Sequence, residues 1–222
     1  MPPTCSTTVD PSPRSARGHE RAVKGCTACT LHTAAGQPVV GDGPRDARLV
    51  IVTDAPRRHE AVHGHALAGS RRNVVDGALL HAGIDPATVR RTSVIRCRPP
   101  DDRPPAGAEL ASCAVHLSGE LELISPEVIV SLGALATSVL LGRPVRLEVV
   151  AGYRLDLDGV TLIPTYHPSE AVRGAPLAAT ALRRDLALAR AVLDGRMSTG
   201  AQARSELRSR LHQQVGGAGV RS

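Results

Sequence analysis

At 222 residues with a formal charge of +6, the chain is long enough for one substantial core and basic enough to favour a polyanionic partner, nucleic acid first. Phe and Trp are absent and Tyr153 and Tyr166 are the only tyrosines, which excludes the ring platforms on which bases usually stack. No apolar run approaches the roughly 18 residues of a membrane span, and the first 20 residues hold no hydrophobic signal core, so a cytoplasmic, monomeric protein is expected.

Residues 1–20, rich in Pro, Ser and Arg, read as a disordered leader; 21–195 as one folded domain; 196–222 as a basic tail, flexible or partly helical. Near the start of the domain Cys26-Thr27-Ala28-Cys29 forms a C-x-x-C pair. The segments "RLVIVTDAP" (48–56), "TSVIRC" (92–97), "EVIVSLG" (127–133) and "VTLIPTYHP" (160–168) are β-branched apolar runs and read as buried parallel strands. Between and after them the apolar spacing is helical at 73–82, 107–124, 134–141 and 177–193. Strand–helix alternation predicts a three-layer α/β/α domain around a central, mainly four-stranded parallel sheet. Ligands of such sheets bind outside the carboxyl ends of the strands, so 53–56, 96–100 and 165–169 should line one rim.

Behind the first strand lies His59-Glu60-Ala61-Val62-His63, the spelling of a zinc-protease helix. That chemistry needs both histidines on a long buried helix. This stretch follows Pro56-Arg57-Arg58 and stops at Gly64, so it reads as a loop.

Cys97 follows a predicted strand and Cys113 sits on a predicted helix. With Cys26 and Cys29 they supply four thiols from a tight turn and two distant elements, a set that suits zinc, an iron–sulfur cluster, or a group of unligated buried thiols. Cys5 has no evident partner.

The blocks "CTACTL", "VVGDG", "VIVTDAP", "GHALAG", "VIRCRPPDDRPP", "ELASC", "PEVIVSLGALA" and "TYHPSEAVR", in this order and spacing, resemble the iron–sulfur uracil-DNA glycosylases, the family 4 branch of that superfamily. The resemblance runs from Cys26 to Leu193. It implies a 4Fe-4S cluster on Cys26, Cys29, Cys97 and Cys113, with zinc as the alternative. DNA would be the substrate, and the N-glycosidic bond of uracil or another deaminated base would be hydrolysed. By the same resemblance His167 stabilises the departing base, Asp54 and Glu60 organise the water, Ala55, Pro56, Leu67 and Ser93 form the base pocket, and Ser169 and Arg173 meet DNA phosphates. The loop 170–174 would press on the minor groove, with Val172 or Leu177 as a wedge.

The sequence departs from the family at Asp54, where glutamate is usual, at Leu67, where a phenylalanine stacks, and at Ser93, where an asparagine reads uracil. An amide can serve a base N–H and a carbonyl together, and a hydroxyl, being shorter, should discriminate less well. These departures imply weakened uracil excision, and equally describe a catalytically impaired DNA-binding homologue that keeps its cluster. With Lys24 the only lysine, placed beside the cysteines, Schiff-base strand cleavage is not expected. No histidine-bearing insertion lies between Cys97 and Cys113, so covalent capture of DNA is not expected either.

Overall fold

The computed structural model describes residues 15–33 and 36–197, so Cys5, most of the expected leader and the tail from 198 lie outside the described residues. Five strands, β1 (Leu49–Thr53), β2 (Arg90–Ser93), β3 (Val128–Leu132), β4 (Leu155–Leu157) and β5 (Val160–Thr165), form one sheet in the order β2-β1-β3-β5-β4. Four are parallel, as expected from their apolar runs. β4, not foreseen, runs antiparallel on the edge of β5, joined to it through Asp158 and Gly159, both with φ above zero.

The strand pleat sends alternate residues to two cores. Leu49 and Ile51 face a cluster closed by α3 (Gly69–His81) and α8 (Pro176–Leu193), whereas Val50 and Val52 face one closed by α4 (Gly107–Ile124) and α5 (Ala134–Leu141). α8 shows why such a segment is helical: Pro176 sits in its first turn, and Leu182, Leu186, Ala189 and Val192 repeat at helical spacing on its buried side. α4 begins where the Glu109 carboxylate accepts the Ala106 N–H at 2.7 Å and ends at Ser125 in the left-handed region, φ 51°. Among the described residues no helix is long and apolar enough to cross a membrane.

Three other expectations are corrected. β2 is Arg90–Ser93 rather than 92–97: it begins two residues earlier, with Arg90 and Arg91 buried in it, and ends before Val94. Residues 16–20 are not leader: α1 (Ala16–Lys24) starts behind the Ser15 hydroxyl, which accepts the Gly18 N–H, and packs on α4. The "HEAVH" segment is not a loop but the short helix α2 (Arg58–His63), capped by Gly64.

A buried ionic cluster joins β2 to α4. Glu120 accepts Arg90 Nε at 2.8 Å and Nη2 at 2.7 Å on one oxygen, and Arg96 Nη2 at 2.7 Å and the Thr92 hydroxyl at 2.5 Å on the other. Burial alone would raise the Glu120 carboxyl, but Arg96 and Arg90 outweigh it and hold its pKa at about 2. Gly41 covers the pair, and a Cβ there would fall 2.1 Å from Glu120 Oε1.

Replacing one partner of such a cluster leaves uncompensated buried charge. Glu120→Leu should cost about 3–5 kcal/mol of unfolding free energy, read as a lowered urea midpoint at unchanged slope. With its folded pKa depressed from 4.5 to about 2, Glu120 contributes stability that is present above about 4.5 and is lost as pH falls toward 2. Glu120→Gln should therefore flatten the acid limb of a stability–pH curve.

Candidate active site and thiol cavity

The strand order reverses between β1 and β3, and the carboxyl ends of those strands with that of β5 open a cavity of about 300 Å³. Its walls include Asp54, Ala55, Pro56 and His167, four of the residues singled out in the sequence. Gly133, at the end of β3, lets them approach: its φ is 94°, and a Cβ would sit 3.3 Å from His167 Cβ and 3.6 Å from Asp54 Oδ2.

His167 precedes α7 (Pro168–Val172) as its cap. Its Nδ1 accepts the Ser169 backbone N–H at 3.2 Å. A backbone N–H can only donate, so the neutral ring carries its proton on Nε2, which donates to the Thr53 hydroxyl oxygen at 3.2 Å. Burial, then the charges of Arg71, Arg57 and Arg173, lower the His167 pKa to about 4. The group facing the cavity is thus a neutral N–H donor at physiological pH.

Asp54 accepts the Ala136 N–H at 3.0 Å, near the start of α5. Burial raises its pKa to about 6, against the Ala136 hydrogen bond and the charges of Arg57 and Arg71. A carboxyl with that pKa beside a neutral imidazole can hold or release a proton near neutrality.

The other sequence candidates are placed differently. Glu60 is buried, and its oxygens accept the backbone N–H of Arg57 at 3.2 Å and of Ala68 at 3.0 Å while pairing with Arg71. It binds both ends of the segment that follows β1 and does not line the cavity. Leu67 lies in the α3/α8 core, and the buried Ser93 hydroxyl donates to the Ile95 carbonyl at 2.6 Å, so neither is a cavity wall. Ser169 and the exposed Arg173 stand on and just after α7, whose helical turn replaces most of the loop expected at 170–174. Beside them Val172 and Leu177 are 44% and 79% exposed. His59 and His63 lie exposed on α2 with ring centroids 4.4 Å apart and planes tilted by 49°.

Arg71, Asp102 and Arg103 also wall the cavity. No sequence signal distinguishes Arg71 from its neighbours in "SRRN", which lies at the edge of the helical spacing at 73–82; only the placement of the start of α3 at the strand rim brings it in.

On the α4 side, Cys26, Cys29, Cys97 and Cys113 border one apolar cavity with Leu31 and Ile95. The Cys113 sulfur accepts the Arg96 N–H at 3.3 Å, and burial with the three other thiols pushes Cys97 up to about 12. Among the described residues no three Cys, His, Asp or Glu side chains stand at the spacing of ligands around a single ion.

A profile of the uracil DNA glycosylase superfamily matches residues 40–187. The chain is similar to the Type-4 uracil-DNA glycosylase of Thermotoga maritima, 39% identical over 153 residues, 68% of this chain and 80% of that protein. It is also similar to the Type-4 uracil-DNA glycosylase of Archaeoglobus fulgidus, 32% over 157 residues, 67% of this chain and 79% of that protein. A Type-5 uracil-DNA glycosylase of Mycobacterium leprae is 32% identical over 162 residues, 61% of this chain and 69% of that protein.

Nitrogen-detected NMR of the imidazoles should find His167 as the Nε2–H tautomer, titrating near 4. A midpoint above about 6, close to the free value near 6.5, would contradict the burial of its ring.

Proposed function

The chain belongs to the uracil DNA glycosylase superfamily, and we infer that it is a monofunctional DNA glycosylase that hydrolyses the N-glycosidic bond of uracil or another deaminated base. The observation that carries this reading is the shared cavity of Asp54 and His167 at the strand rim. A target nucleotide must leave the duplex to reach it. As the C1′–N bond breaks, its electron pair goes to the base and the sugar becomes cationic; water then adds to C1′. The Nε2–H of His167, resting on Thr53, turns to the base oxygen that gains charge. Above about 6 the Asp54 carboxylate faces the sugar cation and accepts a proton from the water. Ser169 and Arg173 hold phosphates beside the lesion, and the exposed Leu177 fills the gap in the stack. The only lysine, Lys24, pairs with Glu20 on α1 at 2.8 Å and is no wall of the cavity, which supports hydrolysis without strand cleavage.

Four thiols bordering one cavity are a donor set for a 4Fe-4S cluster, with zinc as the alternative. We assign Cys26, Cys29, Cys97 and Cys113 as ligands of a 4Fe-4S cluster, which would clamp the segment after α1 to the end of β2 and to α4. Iron and acid-labile sulfide in equal amounts, with broad absorbance in the visible, is the expected result; colourless protein containing zinc would overturn the assignment.

A second reading, a DNA-binding homologue with little turnover, is favoured by one observation: Leu67 and Ser93 turn away from the cavity. Excision separates the two. On a uracil-bearing oligonucleotide followed by alkali, breaks are expected with the wild type, and His167→Ala should lower the rate roughly 10²- to 10³-fold. The rate should rise as Asp54 ionises through about 6, and Asp54→Asn should remove that limb. Tight binding without breaks would establish the second reading.

A further inference from the structure

The cavity lacks the group that normally holds a base by its face, since the chain has no Phe or Trp and neither tyrosine is a cavity wall. A planar cation is the other side chain on which bases stack. Three arginines wall the cavity, and they are not equivalent. Arg57 is exposed, and Arg103 spends its fork on Glu109 at 2.9 and 2.6 Å. The Arg71 side chain is 12% exposed, its Nη2 end is held by Glu60, and Glu60 is itself fixed by two backbone N–H groups. The guanidinium is therefore preorganised before any ligand arrives.

We propose that Arg71 is a base-contacting catalytic residue: braced by Glu60, it offers its plane to the extruded base in place of the missing ring and stabilises the base as it departs as an anion. The inference rests on the glycosylase reading above and extends it to a substrate class. Charge on a departing base matters only where the electron pair of the broken C1′–N bond spreads onto a ring carbonyl oxygen, as in lactam bases. A guanidinium that meets the base by its face reads no edge pattern, and a cavity of about 300 Å³ falls at the low end of the roughly 300–1,000 Å³ of small-molecule pockets. The site thus takes lactam bases of either ring size, uracil and hypoxanthine alike. The second effect of Arg71, keeping His167 neutral, acts in the same direction.

The test is single-turnover excision by the full chain on duplexes with one uracil or one hypoxanthine. Arg71→Gln is compared with Arg71→Lys and with the double change Glu60→Gln/Arg71→Gln, which leaves no buried carboxylate unmatched. Both Gln variants should slow excision at saturating enzyme roughly 10²- to 10³-fold, the range of a lost transition-state donor, with DNA affinity changed less than about threefold. Lys, retaining charge without the plane, should recover roughly tenfold over Gln. The acid limb set by Asp54 should move to higher pH in the Gln variants, because a neighbouring positive charge that favours the carboxylate is gone. Gln variants that excise within about threefold of wild type, or whose loss lies wholly in DNA affinity, would overturn this inference alone. A wild type that excises neither base would overturn it together with the proposed function.

Discussion

Glu120 lies between two arginines in the interior, and its carboxylate sets where three parts of the chain meet. Burying three charges is tolerable only because each guanidinium finds an acceptor and each carboxylate oxygen is used. Arg90 adds a bond to the Gly43 carbonyl at 2.7 Å, and Arg96 one to the His116 carbonyl at 3.0 Å. The cluster thus pins the loop before β1, the strand β2 and the middle of α4 to one another. Cys97 follows Arg96 directly, and Cys113 lies two turns before Glu120 on α4. Their separation is fixed by the ion cluster before any thiol is ligated. α1 joins through His19, whose ring meets His116 edge-on at 6.2 Å, and the chain then delivers Cys26 and Cys29.

The opposite chemistry rules the rim. Asp54 and His167 are both driven toward their neutral forms by burial, one upward to about 6 and the other downward to about 4. Arginine charge opposes burial at the carboxylate and reinforces it at the imidazole. One set of cations therefore serves both groups, keeping the acid ionisable near neutrality and the imidazole uncharged. Glu60, which was expected beside the water, instead anchors the segment that carries these cations. It reaches the cavity through Arg71 rather than as one of its walls.

Much of this was legible in the sequence where local pattern and tertiary burial agree. The ranges of α4 and α5 coincide with the periodic segments, and β1, β3 and β5 lie within the apolar runs. β2 was displaced because Arg90 and Arg91 satisfy their charges with Glu120 and Asp76, partners 30 and 15 residues away that no local window contains. α1 was hidden by a polar composition, although Ser15 is an ordinary cap. In the site, motif order located Asp54 and His167 but not the direction of the side chains: Leu67 and Ser93 stand at the right positions along the chain and point into the interior. Arg71 could be found only from the fold.

β4 has a meaning for association. A parallel sheet whose last strand were β5 would display, from alternate residues along its outer flank, a row of unpaired amides and carbonyls. The three-residue strand folded back through Asp158-Gly159 covers half of that row and leaves an edge too short to template another chain. At the far side, the backbone bridge between Asp42 and Arg91 occupies the outer flank of β2. Among the described residues both borders of the sheet are thus shortened or partly covered, which disfavours edge-to-edge pairing of two sheets.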